Sequence, residues 1–171
     1  MVILADWIST EYLDKNRILQ LKKQFLTNKP FPYLILKDFF IAKKADALKK
    51  ALLSLQYERK NSDLFSFLQS GDLKVVKNRV IQEFVAFYNS EELKKYISTI
   101  TTEKEIKGID LSGFIYEDTD YLLPHDDRLQ SRKIAYVLNF SEKFIEKDGG
   151  QLEFFSTIRN GKEFTPVKVV T

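Results

Sequence analysis

The sequence predicts an α+β protein, a β-sandwich or jelly roll buttressed on one face by helices. Two observations carry that expectation. Helical periodicity dominates residues 1–104, with one early strand, whereas short apolar strands fill residues 105–171. Helices first and strands second is the order of an α+β arrangement, not of an alternating α/β one. Size supplies a third constraint: 171 residues with 44% hydrophobic and 13% aromatic content suit a single domain, residues 1–171, with ample material for a core.

The elements follow in order. Ser9 to Asn28 reads as a helix capped by Ser9 or Thr10, with Tyr12, Ile18, Leu21 and Phe25 on one stripe and Asn28 and Pro30 ending it. Phe31 to Phe40 is a short apolar run after two prolines and reads as a buried strand. In Ile41 to Leu55, Ile41, Ala45, Leu48, Leu52 and Leu55 recur at helical spacing against Lys43, Lys44, Lys49 and Lys50, the pattern of an amphipathic helix. Asn61 to Gly71 is punctuated by Ser62, Asp63, Ser66, Ser70 and Gly71, which predicts a loop with one helical turn around Leu64 to Leu68. Val76 to Tyr88 returns to helix. Ser90 then caps another, with Glu91 and Glu92 in the first turn where the dipole favours acids. Strands are expected at roughly 107–117, 120–126, 132–140, 150–157 and 164–171, with Gly149-Gly150 supplying positive φ at a hairpin start.

Charge and composition exclude several function classes. Lys plus Arg exceed Asp plus Glu by three, and the charges are dispersed, so direct nucleic-acid binding is not expected. There is no cysteine, which removes thiolate zinc sites, disulfides and cysteine nucleophiles together. Met1 to Ala5 is apolar but is broken at once by Asp6 and has no basic leader, and no later stretch is long and apolar enough to span a membrane. The expected location is the cytoplasm, or the nucleus.

The chain's single histidine, His125, stands two residues before Asp127 and between segments with strand patterning. Side chains two apart on an extended chain point the same way, so imidazole and carboxylate can converge on one metal ion. Such a pair, with coordination positions left open, is two thirds of the facial triad of non-heme iron oxygenases. The bland alternatives are a surface histidine and a solvated acidic loop, since Glu117, Asp118, Asp120, Asp126 and Asp127 cluster here. That cluster would also suit a basic peptide substrate.

A wider set of residues carries a family likeness. Tyr116, Thr119-Asp120, Leu122-Leu123, His125-Asp126-Asp127, Arg132 to Leu138 and Gly149-Gly150-Gln151-Leu152 resemble the catalytic half of Fe(II)/2-oxoglutarate oxygenases. Within that superfamily the chain is similar to the prolyl 4-hydroxylase-like branch, and most to the enzymes of yeast and animals that act on a ribosomal protein. Lys29 to Phe39 and Asp63 to Ser70 extend the likeness, which covers roughly residues 28–171. The resemblance implies a distorted double-stranded β-helix, with residues 105–171 as the first part of its core. It implies Fe(II) held by His125 and Asp127, 2-oxoglutarate bound with the help of Tyr116, and ascorbate as a further cofactor. Asn139 falls where relatives usually carry a second cosubstrate-binding tyrosine. The implied partner is a protein or peptide substrate, a prolyl residue of a ribosomal protein foremost.

The same resemblance implies a second histidine ligand and a 2-oxoglutarate-binding arginine, and neither has a counterpart in this chain. Five expected strands after Lys107 compare with about eight in the implied core, a shortfall of roughly forty to fifty residues at ordinary strand and turn lengths. The leading expectation is therefore a piece of a longer enzyme, truncated before the last core strands. Completion by another chain or within a homodimer comes next, and a catalytically inactive binding or scaffold module of the same fold is the alternative function.

Overall fold

Polar side-chain caps start three of the four α-helices among the described residues. The computed structural model describes residues 3–125, 132–141, 147, 149–157 and 164–170. Helix α1, Lys15–Thr27, starts behind Asp14, whose carboxylate accepts from the Arg17 amide at 3.0 Å. Helix α2 spans Ala42–Leu53. Helix α3, Arg79–Tyr88, starts behind Asn78, whose Oδ1 takes the amides of both Val80 and Ile81. Helix α4, Glu91–Thr101, starts behind Ser90, as expected, and ends on Thr102 with φ 67°. Each cap satisfies amides that a first helical turn leaves without partners. The first helix begins later than Ser9 or Thr10 would have it. Ser9 makes no side-chain cap bond and Thr10–Leu13 winds as a 3-10 turn, so Tyr12 precedes α1 instead of joining its stripe.

The apolar run at 31–40 is not a strand. Two of its carbonyls are taken by side chains: Asn28 Nδ2 donates to Tyr33 O at 2.9 Å and Tyr12 Oη to Lys37 O at 2.6 Å. Asp38, at φ 53°, breaks the extended path, leaving one isolated antiparallel bridge between Ile8 and Phe40. The early sheet lies further on, where a loop with a helical turn was expected. Strand β1, Tyr57–Ser62, and strand β2, Phe65–Ser70, form a hairpin through Asp63-Leu64. On β2 the rings of Phe65 and Phe67 stack at 4.9 Å, two residues apart on one face. Short strands β3, Phe114–Ile115, and β4, Tyr121–Leu122, both pair with β2, β4 antiparallel in the register Phe65 to Leu122.

The last two expected strands are present as β5, Leu152–Thr157, and β6, Phe164–Val170, an antiparallel pair in a sheet of its own. The register slips between Phe154 and Phe155, and Phe155 stands opposite Pro166, which has no amide hydrogen to give the ladder. Gly149 and Gly150, at φ 78° and 80°, precede β5 as expected. Residues 132–140 form no strand. Their alternation puts apolar residues on both faces, and Val137 is 72% exposed.

The chain divides into two compact units, Met1–Glu58 with Gln69–Gly113 and Arg59–Leu68 with Phe114–Thr171. The first packs α1 against α4 and α2 against α3 around an aromatic core. Trp7 stacks on Phe87 with centroids 5.3 Å apart and touches Phe84 at 5.5 Å, while Phe39 meets Tyr12 edge-on at 5.2 Å. Ile8, Leu21, Leu48, Ile81 and Phe87 are fully buried there. In the same unit Gly113 lies so close to Tyr57 that a Cβ would stand 2.7 Å from its Oη, which donates to Leu52 O at 3.1 Å. The second unit holds β3 to β6 with residues 59–68 of the hairpin. The mixture of helix and sheet is as expected, although the β1–β2 hairpin stands between α2 and α3.

Candidate functional site

The candidate residues of the second unit lie on one connected path. Tyr116 follows β3 directly, a turn closed by Asp120 N donating to Glu117 O at 3.1 Å leads into β4, and His125 comes three residues after β4. The turn has Thr119 at φ 69°, a conformation that favours glycine or asparagine, and its closing residue holds it. Asp120 Oδ2 accepts from the Glu117 amide at 2.9 Å, and its Oδ1 accepts from Ser66 Oγ at 3.0 Å and from an Arg59 guanidinium nitrogen at 2.5 Å. The other guanidinium terminus of Arg59 meets the Glu117 carboxylate. The Asp120 side chain is only 5% exposed, so its charge needs these partners. The Arg59 bond, then the Glu117 amide, holds its carboxyl below the usual carboxylate range, and the same bond pushes the Arg59 guanidinium up.

Tyr116 leans on a small aromatic group: its ring centroid is 5.6 Å from that of Phe67, which Phe114 meets edge-on at 5.3 Å. Burial, and secondarily the nearby Asp120 charge, pushes the Tyr116 phenol up, so it stays protonated and able to donate. Downstream, Tyr121 Oη donates to Ser62 O at 3.1 Å and the Leu123 amide to Leu64 O at 2.9 Å. His125 is exposed, with Nδ1 at 2.9 Å from Leu123 O. A carbonyl only accepts, so Nδ1 is the donor of this bond. Asn139 is also exposed, and its Oδ1 accepts from the Ser141 amide at 2.9 Å, leaving its NH2 group as the end with hydrogens to give. Asp127 lies outside the described residues, so the expected convergence of His125 and Asp127 does too.

Residues 111–171 match the model of the 2OG-Fe(II) oxygenase superfamily. The chain carries that likeness in its strand-rich part. It is 34% identical over 146 residues to a prolyl 3-hydroxylase OGFOD1 of Xenopus laevis, covering 84% of this chain and 28% of the relative. It is 33% identical over 129 residues to a prolyl 3-hydroxylase OGFOD1 of Mus musculus, covering 75% of this chain and 24% of the relative. A prolyl 3,4-dihydroxylase OGFOD1 of Ostreococcus tauri is 29% identical over 144 residues, covering 76% of this chain and 28% of the relative. The chain thus spans 24% to 28% of the length of these three curated relatives.

The resemblance named Tyr116, His125 and Asn139, but sequence reasoning missed the network of Arg59, Ser66 and Asp120. Arg59 and Asp120 are 61 residues apart, and no periodicity links residues at that distance. The one available signal was the punctuated stretch around Ser62 and Ser66, which read as a loop. The network also changes the meaning of the acid cluster. Glu117 and Asp120 are both paired with Arg59, so they are not charges held out for a basic substrate.

Proposed function

We propose that this chain supplies the metal- and cosubstrate-binding part of an Fe(II)/2-oxoglutarate-dependent dioxygenase that hydroxylates a protein, with a prolyl residue of a ribosomal protein as target. The observation that carries the reading is the agreement among relatives. Three proteins named for prolyl hydroxylation are 29% to 34% identical over 75% to 84% of this chain. Those names favour the enzyme over the binding or scaffold module. Carbon 3 of the proline, the position in the two animal names, is the proposed site of hydroxylation.

The residues fit the implied group in kind. His125, with Nδ1 committed to Leu123 O, would offer Nε2 to Fe(II), and Asp127 would add a carboxylate oxygen. His125 is the only histidine of the 171 residues, so a second imidazole ligand would come from outside them. Tyr116 Oη and the Asn139 amide would donate to the 2-oxoglutarate carboxylate, and Phe67 and Phe114 back the phenol so that it keeps one orientation. When bound, Fe(II) and 2-oxoglutarate supply the oxidising chemistry: dioxygen gives one oxygen atom to the substrate and one to succinate, with loss of carbon dioxide. Ascorbate would keep the metal ferrous. A double-stranded β-helix is the proposed frame, supported by the superfamily match, and the cysteine-free sequence suits the reducing cytoplasm or nucleus.

The test is succinate release and the gain of one oxygen atom by a proline-containing ribosomal peptide, with the purified protein, Fe(II), 2-oxoglutarate and ascorbate. Chelation of the metal should abolish both. His125→Ala should lose Mn(II) binding and fall to background turnover, and equal turnover in the variant and the wild type would discard the assignment.

A further inference from the structure

The turn between Tyr116 and β4 is held far more firmly than a turn requires. The bond from Asp120 N to Glu117 O closes it, yet three further bonds converge on the Asp120 carboxylate, two of them from residues on the hairpin, Arg59 and Ser66. One of the three starts from the amide of Glu117, which belongs to the peptide group joining Tyr116 to Glu117. The Asp120 carboxylate therefore fixes the peptide plane from which Tyr116 hangs, and Arg59 fixes the carboxylate. The Arg59–Glu117 arm lies at the surface, 40% and 58% exposed, and adds little to stability, whereas the Asp120 carboxylate, 5% exposed, depends on its partners. What the fork of Arg59 does contribute is geometry, because a planar guanidinium bridging two carboxylates sets the direction of both.

We propose that Arg59 and Asp120 are positioning residues for the cosubstrate: their pairing orients Tyr116, and through it the grip on the distal carboxylate of 2-oxoglutarate. The inference rests on the reading above, in which Tyr116 contacts that carboxylate. Neighbours that orient a binding group typically change affinity or activity about tenfold to a hundredfold when removed.

The experiment measures 2-oxoglutarate binding calorimetrically to Mn(II)-loaded protein, with hydrogen exchange of the segment holding Tyr116 to Leu123 as a second readout. Asp120→Asn and Arg59→Met should each weaken 2-oxoglutarate about tenfold or more and speed exchange in that segment. Combined with Tyr116→Phe they should add little, because all three act through one contact. Arg59→Lys keeps the charge but can face only one carboxylate at a time, so it should stay folded and give an intermediate loss. Glu83→Gln, which breaks the exposed pair with Lys44 in the helical unit, should leave the affinity at the wild-type value. Variants that lower the unfolding midpoint yet bind 2-oxoglutarate as the wild type does would overturn the inference, since the pairing would then be structural only. Wild-type protein that takes up neither Mn(II) nor 2-oxoglutarate would overturn the oxygenase reading itself and the inference with it, an outcome separated from the other by the wild-type control.

Discussion

Tyr96 shows how much one side chain can hold. It is buried, its Oη donates to Tyr12 O at 3.0 Å, and burial, with Tyr12 nearby, pushes its phenol up to about 12. The sign follows from linkage. The folded-state value lies above the ordinary 10.0, so the fold favours the neutral phenol; that contribution is complete below about pH 10 and is lost as pH rises toward about 12. Tyr96→Phe should cost about 1 kcal/mol at neutral pH, from the Tyr12 carbonyl left without its donor. The same variant should lose less stability than the wild type across the alkaline range. Urea midpoints measured against pH check both, and what decline remains belongs to groups such as Tyr57, which burial also raises. At this scale the sequence was partly legible. Tyr116 and His125 stood out through a motif, but the partners that hold Tyr116 in place lie on a hairpin that residue spacing does not connect to it.

Among the elements, α3 offers the cleanest test, because Asn78 alone satisfies two of its first amides. Asn78→Ala should lower stability by about 1 kcal/mol, while Asn78→Asp should change it by only a few tenths, and thermal unfolding of the two variants separates them. Helices were legible because caps and apolar stripes are local. Ser90 before Glu91 and Glu92 marked the start of α4, and Leu48 and Ala51 are the buried face of α2. The hairpin was not legible. Strand β1 reads Tyr-Glu-Arg-Lys-Asn-Ser, polar almost throughout, and takes its conformation from the ladder to β2. Phe31 to Phe40 misled in the opposite sense: an apolar run looks like a strand, but side-chain donors from Asn28 and Tyr12 replaced the ladder that a strand would need.

At the level of the whole chain, stability of the first unit rests on its aromatic core. Phe87, with 0% exposure, touches Trp7, Phe40 and Tyr88. Phe87→Ala should cost about 3–5 kcal/mol, read from the urea midpoint at unchanged slope. The concentration of helices before residue 104 was legible at this scale from periodicity, the β1–β2 hairpin that interrupts it was not, and the superfamily match over residues 111–171 falls on the strand-rich side. Residues 59–68 of the hairpin fall in the second compact unit and the hairpin's ends in the first, a long-range property that composition does not carry.

Trp7 is the only tryptophan in the sequence, and it is 4% exposed, layered on Phe87 with the Lys44 ammonium 4.7 Å from its ring centre. Its fluorescence is therefore a built-in gauge of the helical unit alone. The emission should be blue-shifted in the native protein, move to the red as that unit melts, and respond to Lys44→Met through loss of the cation above the indole.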